Sequence, residues 1–130
     1  MVYTPGSPIV VNFPITIRAR VRSGTTWTQQ AYLKPAAAGT GQGGEFFGSA
    51  VSIATDTVVV GANRENSSTT GVNSVANDSS LQAGAAYVYV RSGTTWTQQA
   101  YLKPGAVGTT QAGDQFGTSV SVSGDKIGRA

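Results

Sequence analysis

The chain has 130 residues, the length of one ordinary domain, with 39% apolar side chains, 12% charged side chains and a formal charge of +3; the charged fraction is about half the usual quarter. It contains no Cys and no His, which excludes a disulfide framework, a thiol nucleophile, a Cys- or His-ligated metal and a Ser-His-Asp triad built within it. No apolar run approaches the roughly 18 residues of a membrane-spanning helix, and the abundance of Gly, Val, Thr and Tyr points to strands and turns.

Residues 1–14 read as an irregular segment. Pro5, Pro8 and Pro14 interrupt the apolar residues around Ile9 to Val11, and no basic stretch precedes them, so this is not a signal peptide. Next comes ITIRAR (15–20), in which Arg18 and Arg20, with Arg22, place three positive charges in five residues. From residue 23 onward six bases balance six acids. One short basic cluster on alternate residues reads as a solvated strand face rather than a nucleic-acid surface, which needs a broader basic face.

A strand is expected over 47–54 (FGSAVSIA), with Phe47, Val51 and Ile53 on one face and Ala50, Ser52 and Ala54 on the other. Thr55-Asp56 supplies a tight turn. The next strand, TVVVGA (57–62), is apolar on both faces, as a fully buried strand is. The polar stretch 63–82 is long for a compact domain, so it is either functional or loosely ordered. A third strand is expected at 85–91, with Tyr87 and Tyr89 opposing Val88 and Val90. A hairpin turn follows at 92–95, then a polar edge strand at 96–103, stopped by Pro104.

The chain repeats itself. VRSGTTWTQQAYLKP occurs at 21–35 and again, unchanged, at 90–104; extending the register, 21–56 and 90–125 share 25 of 36 residues. The repeat holds at neither end. Arginine-rich 15–20 stands opposite apolar 84–89, and KIGRA (126–130) stands opposite TVVVGA, where the strand is expected to break down. The chain reads as a piece of a longer array; natural terminal caps are the other reading, since arrays need atypical end units.

Three strands are apolar, two of them on both faces, and the fourth is amphipathic, so the sheet must be covered on both sides. Radial stacking of four-stranded antiparallel sheets provides that cover, whereas a sandwich leaves one face of each strand polar. The expected class is all-β, with antiparallel β-propeller blades in a partial propeller. Its divisions are an irregular 1–14, the outer half of a damaged blade with a linker at 15–46, a complete blade at 47–104, and a linker with the inner half of a truncated blade at 105–130.

These residues resemble the FG-GAP repeat, the blade unit of integrin alpha-subunit propellers and of many bacterial surface proteins. Phe47-Gly48 and Phe116-Gly117 match its FG element, and Val59-Val60-Gly61-Ala62 its second element, with Asn63 where the family often has Pro. Residues 84–104 look like the bacterial branch. The resemblance implies that Phe47 and Phe116 plug the space between blades, while Gly48, Gly61 and Gly117 let backbones approach. Glu45 and Asp114 then act as turn carboxylates. Integrin-type blades often carry a calcium loop between the first two strands; here that connection is two or three residues, Thr55-Asp56 or Ser123-Gly124-Asp125. One Asp cannot supply the six to eight oxygens that calcium takes. Glu65, Asn73, Asn77 and Asp78 in the long loop have no calcium-loop spacing, so no cofactor is expected. The triplets at Asn66 and Asn77 are too common in Asn/Ser-rich sequence to signal glycosylation.

The function expected is therefore a non-catalytic binding or adhesion module of a secreted or cell-surface protein, with a protein or glycan ligand and neither nucleic acid nor membrane insertion. Its acids recur at matching turns (Glu45 with Asp114, Asp56 with Asp125), which suits architecture better than catalysis. The alternatives are a scaffold piece of a propeller hydrolase or lyase, and a gene fragment with no function of its own. Outer apolar faces without a neighbouring blade predict self-association or further blades.

Overall fold

A computed structural model describes residues 9–13, 16–35, 46–75, 77, 79–105, 113–123 and 126–129. These hold nine strands and no helix: β1 (Ile9–Phe13), β2 (Thr16–Ser23), β3 (Thr26–Leu33), β4 (Phe47–Ala54), β5 (Thr57–Ala62), β6 (Ala85–Ser92), β7 (Thr95–Leu102), β8 (Val120–Ser123) and β9 (Lys126–Arg129). All pairing between strands is antiparallel, in three sheets ordered β1-β2-β3, β4-β5-β6-β7 and β8-β9. The four-stranded sheet is one blade, in sequential order.

Two-residue turns set the registers. Gly24 and Gly93, at φ +61° and +63°, occupy the same turn position in the two identical hairpins. Each hairpin carries the same irregularity one strand-length later. β2 shifts register between Ala19 and Arg20, opposite Gln30, and β6 shifts between Val88 and Tyr89, opposite Gln99. The duplicated sequence therefore reproduces its bulge as well as its turn.

The faces of the blade divide as strand alternation requires. Phe47, Val58, Val60, Tyr87, Tyr89 and Tyr101 face one way and pack with Ile17, Ala19 and Leu33 of the first sheet. Val59, Ala86 and Val88 face the other way and pack with Phe116 and with Val120 and Val122 of the last. Val58, Val59 and Val60 are consecutive and all fully buried, because each side of β5 has a sheet against it.

Three expectations need correction. Ile9–Phe13, within the segment read as irregular, is a strand: Val10 pairs with Ala19 and Asn12 with Ile17, so β1 stands beside β2 where β5 stands beside β6. Pro8 and Pro14 fall outside the strand and do not interrupt its ladder. Lys126–Arg129, read as a broken strand, pairs fully with β8; its glycine lowers strand propensity without preventing the ladder. The polar edge strand runs over Thr95–Leu102, which leaves Lys103 outside it.

Candidate functional site

The four FG residues sit at the two seams between sheets. Phe47 is buried edge-on against Tyr87 and Tyr89, with ring centroids 5.3 and 6.3 Å apart. Phe116 packs on the opposite face. The local backbone is the same in both copies: the residue before Phe is left-handed (Phe46 φ +58°, Gln115 φ +54°), as is the glycine after it (Gly48 φ +94°, Gly117 φ +87°). At the second seam the two motifs touch. A Cβ on Gly61 would lie 2.0 Å from the carbonyl oxygen of Gly117, and one on Gly117 would lie 2.3 Å from that of Ala85. The FG glycine of one unit thus lies backbone to backbone on the GA glycine of the unit before it, next to buried Ala62. Gly84, which the motif reading did not single out, belongs to the same seam: it forms a parallel bridge with Phe116, whose amide is 2.3 Å from where a Cβ on Gly84 would lie.

Loop 63–82 is built rather than loose. Glu65 is completely buried at its start. Its Oε1 accepts hydrogen bonds from the amide and hydroxyl of Ser67. Its Oε2 accepts from Tyr101 Oη and from Lys103 Nζ, each at 2.9 Å. Lys103 also donates to the Gly84 carbonyl at 2.5 Å. This satisfied ion pair joins the loop to the end of β7. Further along, Val72 bridges antiparallel to Leu102. The amides of Gly71 and Asn73 donate to Pro104 and Tyr101 carbonyls at 2.8 Å. The loop therefore covers the C-terminal end of the free β7 edge. Its far end, Leu81 to Ala83, receives amide hydrogen bonds from Gly113, Gln115 and Phe116. Pinned this way, the loop presents Val72, Val75 and Leu81 to solvent at 66%, 84% and 65% exposure.

The described oxygen donors among those weighed for calcium are engaged within the protein. Both oxygens of Glu65 are committed as above. Asn73 Oδ1 accepts from the Tyr101 amide, and Asn77 Oδ1 from the Ser68 and Ser79 amides. Asp78 lies outside the described residues, as do Glu45 and Asp125. Among the described residues no group of three acids, His or Cys stands at metal-holding distance.

Asp56, read as a turn residue, has a second task. It pairs with Arg91, whose Nη2 lies 2.5 Å and Nε 2.8 Å from Asp56 Oδ1. Arg91 and Trp96 Nε1 both donate to Gln30 Oε1, at 3.3 and 2.8 Å, across the first seam. Gln30 is the bulge residue, and the bulge turns its side chain toward the neighbouring sheet. Asp114 is exposed in the connection to β8. Lys103, Ser67, Gln30 and Gly84 were not visible as site residues in the sequence. Lys103 and Gln30 lie within the duplicated segment, where the second copies carry no contrasting residue.

Burial pushes the Tyr89 and Tyr101 hydroxyls above their ordinary value, and for Tyr101 the Glu65 carboxylate adds to the rise. Both phenols hold their protons more tightly when folded. Their contribution to stability is therefore complete below about pH 10, the unfolded value, and declines as pH rises beyond it. Urea midpoints should be level from about pH 7 to 9 and fall at about pH 11. The fall should shrink in Tyr89→Phe; a drop of the same size in that variant would count against the assignment.

A family model described as FG-GAP repeat matches residues 27–89. No curated protein and no solved structure matches the chain.

Proposed function

Starting from the FG-GAP repeat at residues 27–89, we propose that the chain is a non-catalytic β-propeller module of a secreted or cell-surface protein, binding a protein or glycan partner through loop 63–82. The observation that carries this is the pinned loop. A stretch of this length is either functional or loosely ordered, and the Glu65–Lys103 pair with the Val72–Leu102 bridge argues against loose order. Binding loops on a rigid scaffold are a common use of such architecture. The exposed Val72, Val75 and Leu81 suit a protein surface.

The carboxylates support the non-catalytic reading: Glu65 is held by Lys103 and Asp56 by Arg91, so neither is free for proton transfer. The two-stranded β8–β9 sheet is half the width of the full blade. In this reading it is completed by further blades of a longer chain or by a second copy.

The test is retention of the purified chain on surfaces coated with gelatin, albumin or neutral polysaccharides. Val72→Ser/Val75→Ser/Leu81→Ser should lose at least about tenfold in affinity with an unchanged melting temperature, since the three side chains are solvent-facing. Turnover of an ester or glycoside substrate, abolished by Asp114→Asn, would replace this reading with the hydrolase one.

A further inference from the structure

The first sheet has an outer face unlike its equivalent on the blade. In the repeat register Tyr87, Tyr89 and Arg91 of β6 correspond to Arg18, Arg20 and Arg22 of β2. On the blade that face is buried against a neighbouring sheet. On the first sheet Ile17 and Ala19 face inward and are fully buried, so the three arginines alternate to the outside. Lys34 is exposed at the end of β3. Residues 1–44 contain these four bases and no acid, the first carboxylate being Glu45. The whole net positive charge of the chain is gathered on this sheet.

Two aromatic rings lie under three of these four cations. Arg18 lies 5.2 Å and Lys34 5.4 Å from the Tyr32 ring centroid, and Arg22 lies 5.6 Å from that of Trp27. We infer that this face is a docking surface for an acidic polysaccharide, whose repeated carboxylates are gripped by Arg18, Arg20, Arg22 and Lys34. The inference rests on the binding-module reading but uses a different surface from loop 63–82.

Charge complementarity selects a polyanion. A further blade would have to bury guanidinium groups, each at a penalty of several kcal/mol unless that blade supplied an acid. The rings decide between polyanions. Single-stranded nucleic acids are held by bases stacked on bare aromatic faces, and here guanidinium and ammonium groups already lie over both rings. Carboxylates need no ring: the arginine fork takes them two oxygens at a time.

The test is affinity electrophoresis of the purified chain through gels containing polygalacturonate, dextran or single-stranded oligothymidylate. Polygalacturonate should retard the chain and dextran should not. Arg18→Gln/Arg20→Gln/Arg22→Gln should weaken that binding by at least about tenfold, and Lys34→Gln by about two- to threefold, with affinity falling as salt is raised. Circular dichroism melts establish that the variants fold. Val72→Ser/Val75→Ser/Leu81→Ser should bind polygalacturonate as the unmodified chain does. Unchanged affinity in the arginine variant, absence of retardation at low salt, or tighter binding to oligothymidylate would overturn the inference. Loss of polygalacturonate binding in the loop variant alone would move the glycan to the loop and leave the binding-module reading standing.

Discussion

Lys103→Met should destabilise the chain by about 3–5 kcal/mol, whereas the same substitution at Lys34, inside an identical stretch of 15 residues, should cost less than about 1 kcal/mol. The difference lies entirely in what covers each copy. Lys103 is buried, and its ammonium group meets Glu65 Oε2 and the Gly84 carbonyl. Removing the ammonium leaves the Glu65 carboxylate buried with only Ser67 and Tyr101 to hold it. An uncompensated buried charge is among the largest effects a single substitution has. Lys34 is exposed and lies over the Tyr32 ring, a contact worth about 0.5–1 kcal/mol at such a site.

Urea unfolding of the two variants side by side checks this, with each midpoint read against the unmodified chain. The double variant Glu65→Gln/Lys103→Met adds a second reading. It removes both charges, so it should recover much of the loss, because a neutral pair does not leave a carboxylate stranded. Equal losses at Lys34 and Lys103, or a double variant that loses the sum of both single effects, would show that the buried pair is not what holds loop 63–82 to the blade.

The same pair of hairpins shows how far the sequence is readable. Turn, bulge and strand bounds are local properties, and identical sequence reproduces them: Gly24 and Gly93 share a conformation, and both copies shift register at the same step. The alternation that puts Phe47, Val51 and Ile53 on one face is local too, and the structure has all three in one cluster. Burial is not local. Tyr32 is 44% exposed and Tyr101 4%, although each tyrosine sits at the same place in the identical stretch VRSGTTWTQQAYLKP. What differs is cover: Tyr101 packs in the cluster formed with the first sheet and bonds to Glu65 of loop 63–82, whereas Tyr32 lies on the outer face of the first sheet beside Arg18 and Lys34. The role of Lys103 was therefore out of reach from its own neighbourhood. β1 was missed for a related reason: proline at its ends reads as interruption, when only proline inside a paired stretch removes a ladder hydrogen bond. The FG and GA motifs were readable as glycine positions, but not as each other's contact, because that contact joins residues of successive units.

That contact sets a large steric effect at Gly61. Gly61→Ala places a methyl group 2.0 Å from the carbonyl oxygen and 3.1 Å from the carbonyl carbon of Gly117. The obstacle is backbone, so no side-chain rotation relieves it. Either β5 or the Phe116-Gly117 turn must move, and both are tied down. Gly61 pairs with Ala50 on one side and Ala86 on the other, and Phe116 is bridged to Gly84 with its amide bonded to Ala83. Moving the turn away would open the cluster of Val59, Ala86 and Val88 that Phe116, Val120 and Val122 cover. A cost of at least about 3 kcal/mol is expected, at the upper end of overpacking effects. Two glycines supply controls. Gly105 has nothing within 4 Å of its added Cβ, so Gly105→Ala should be close to neutral. Gly93 also has open space but sits at φ +63°, so Gly93→Ala should cost about 1–2 kcal/mol from backbone strain alone. Thermal melts rank the three variants, and amide exchange locates the damage: in Gly61→Ala, protection should be lost first in Val120–Ser123, while the β2–β3 hairpin keeps its own. A Gly61→Ala variant no less stable than Gly93→Ala would mean that the two glycines do not form the seam between successive units.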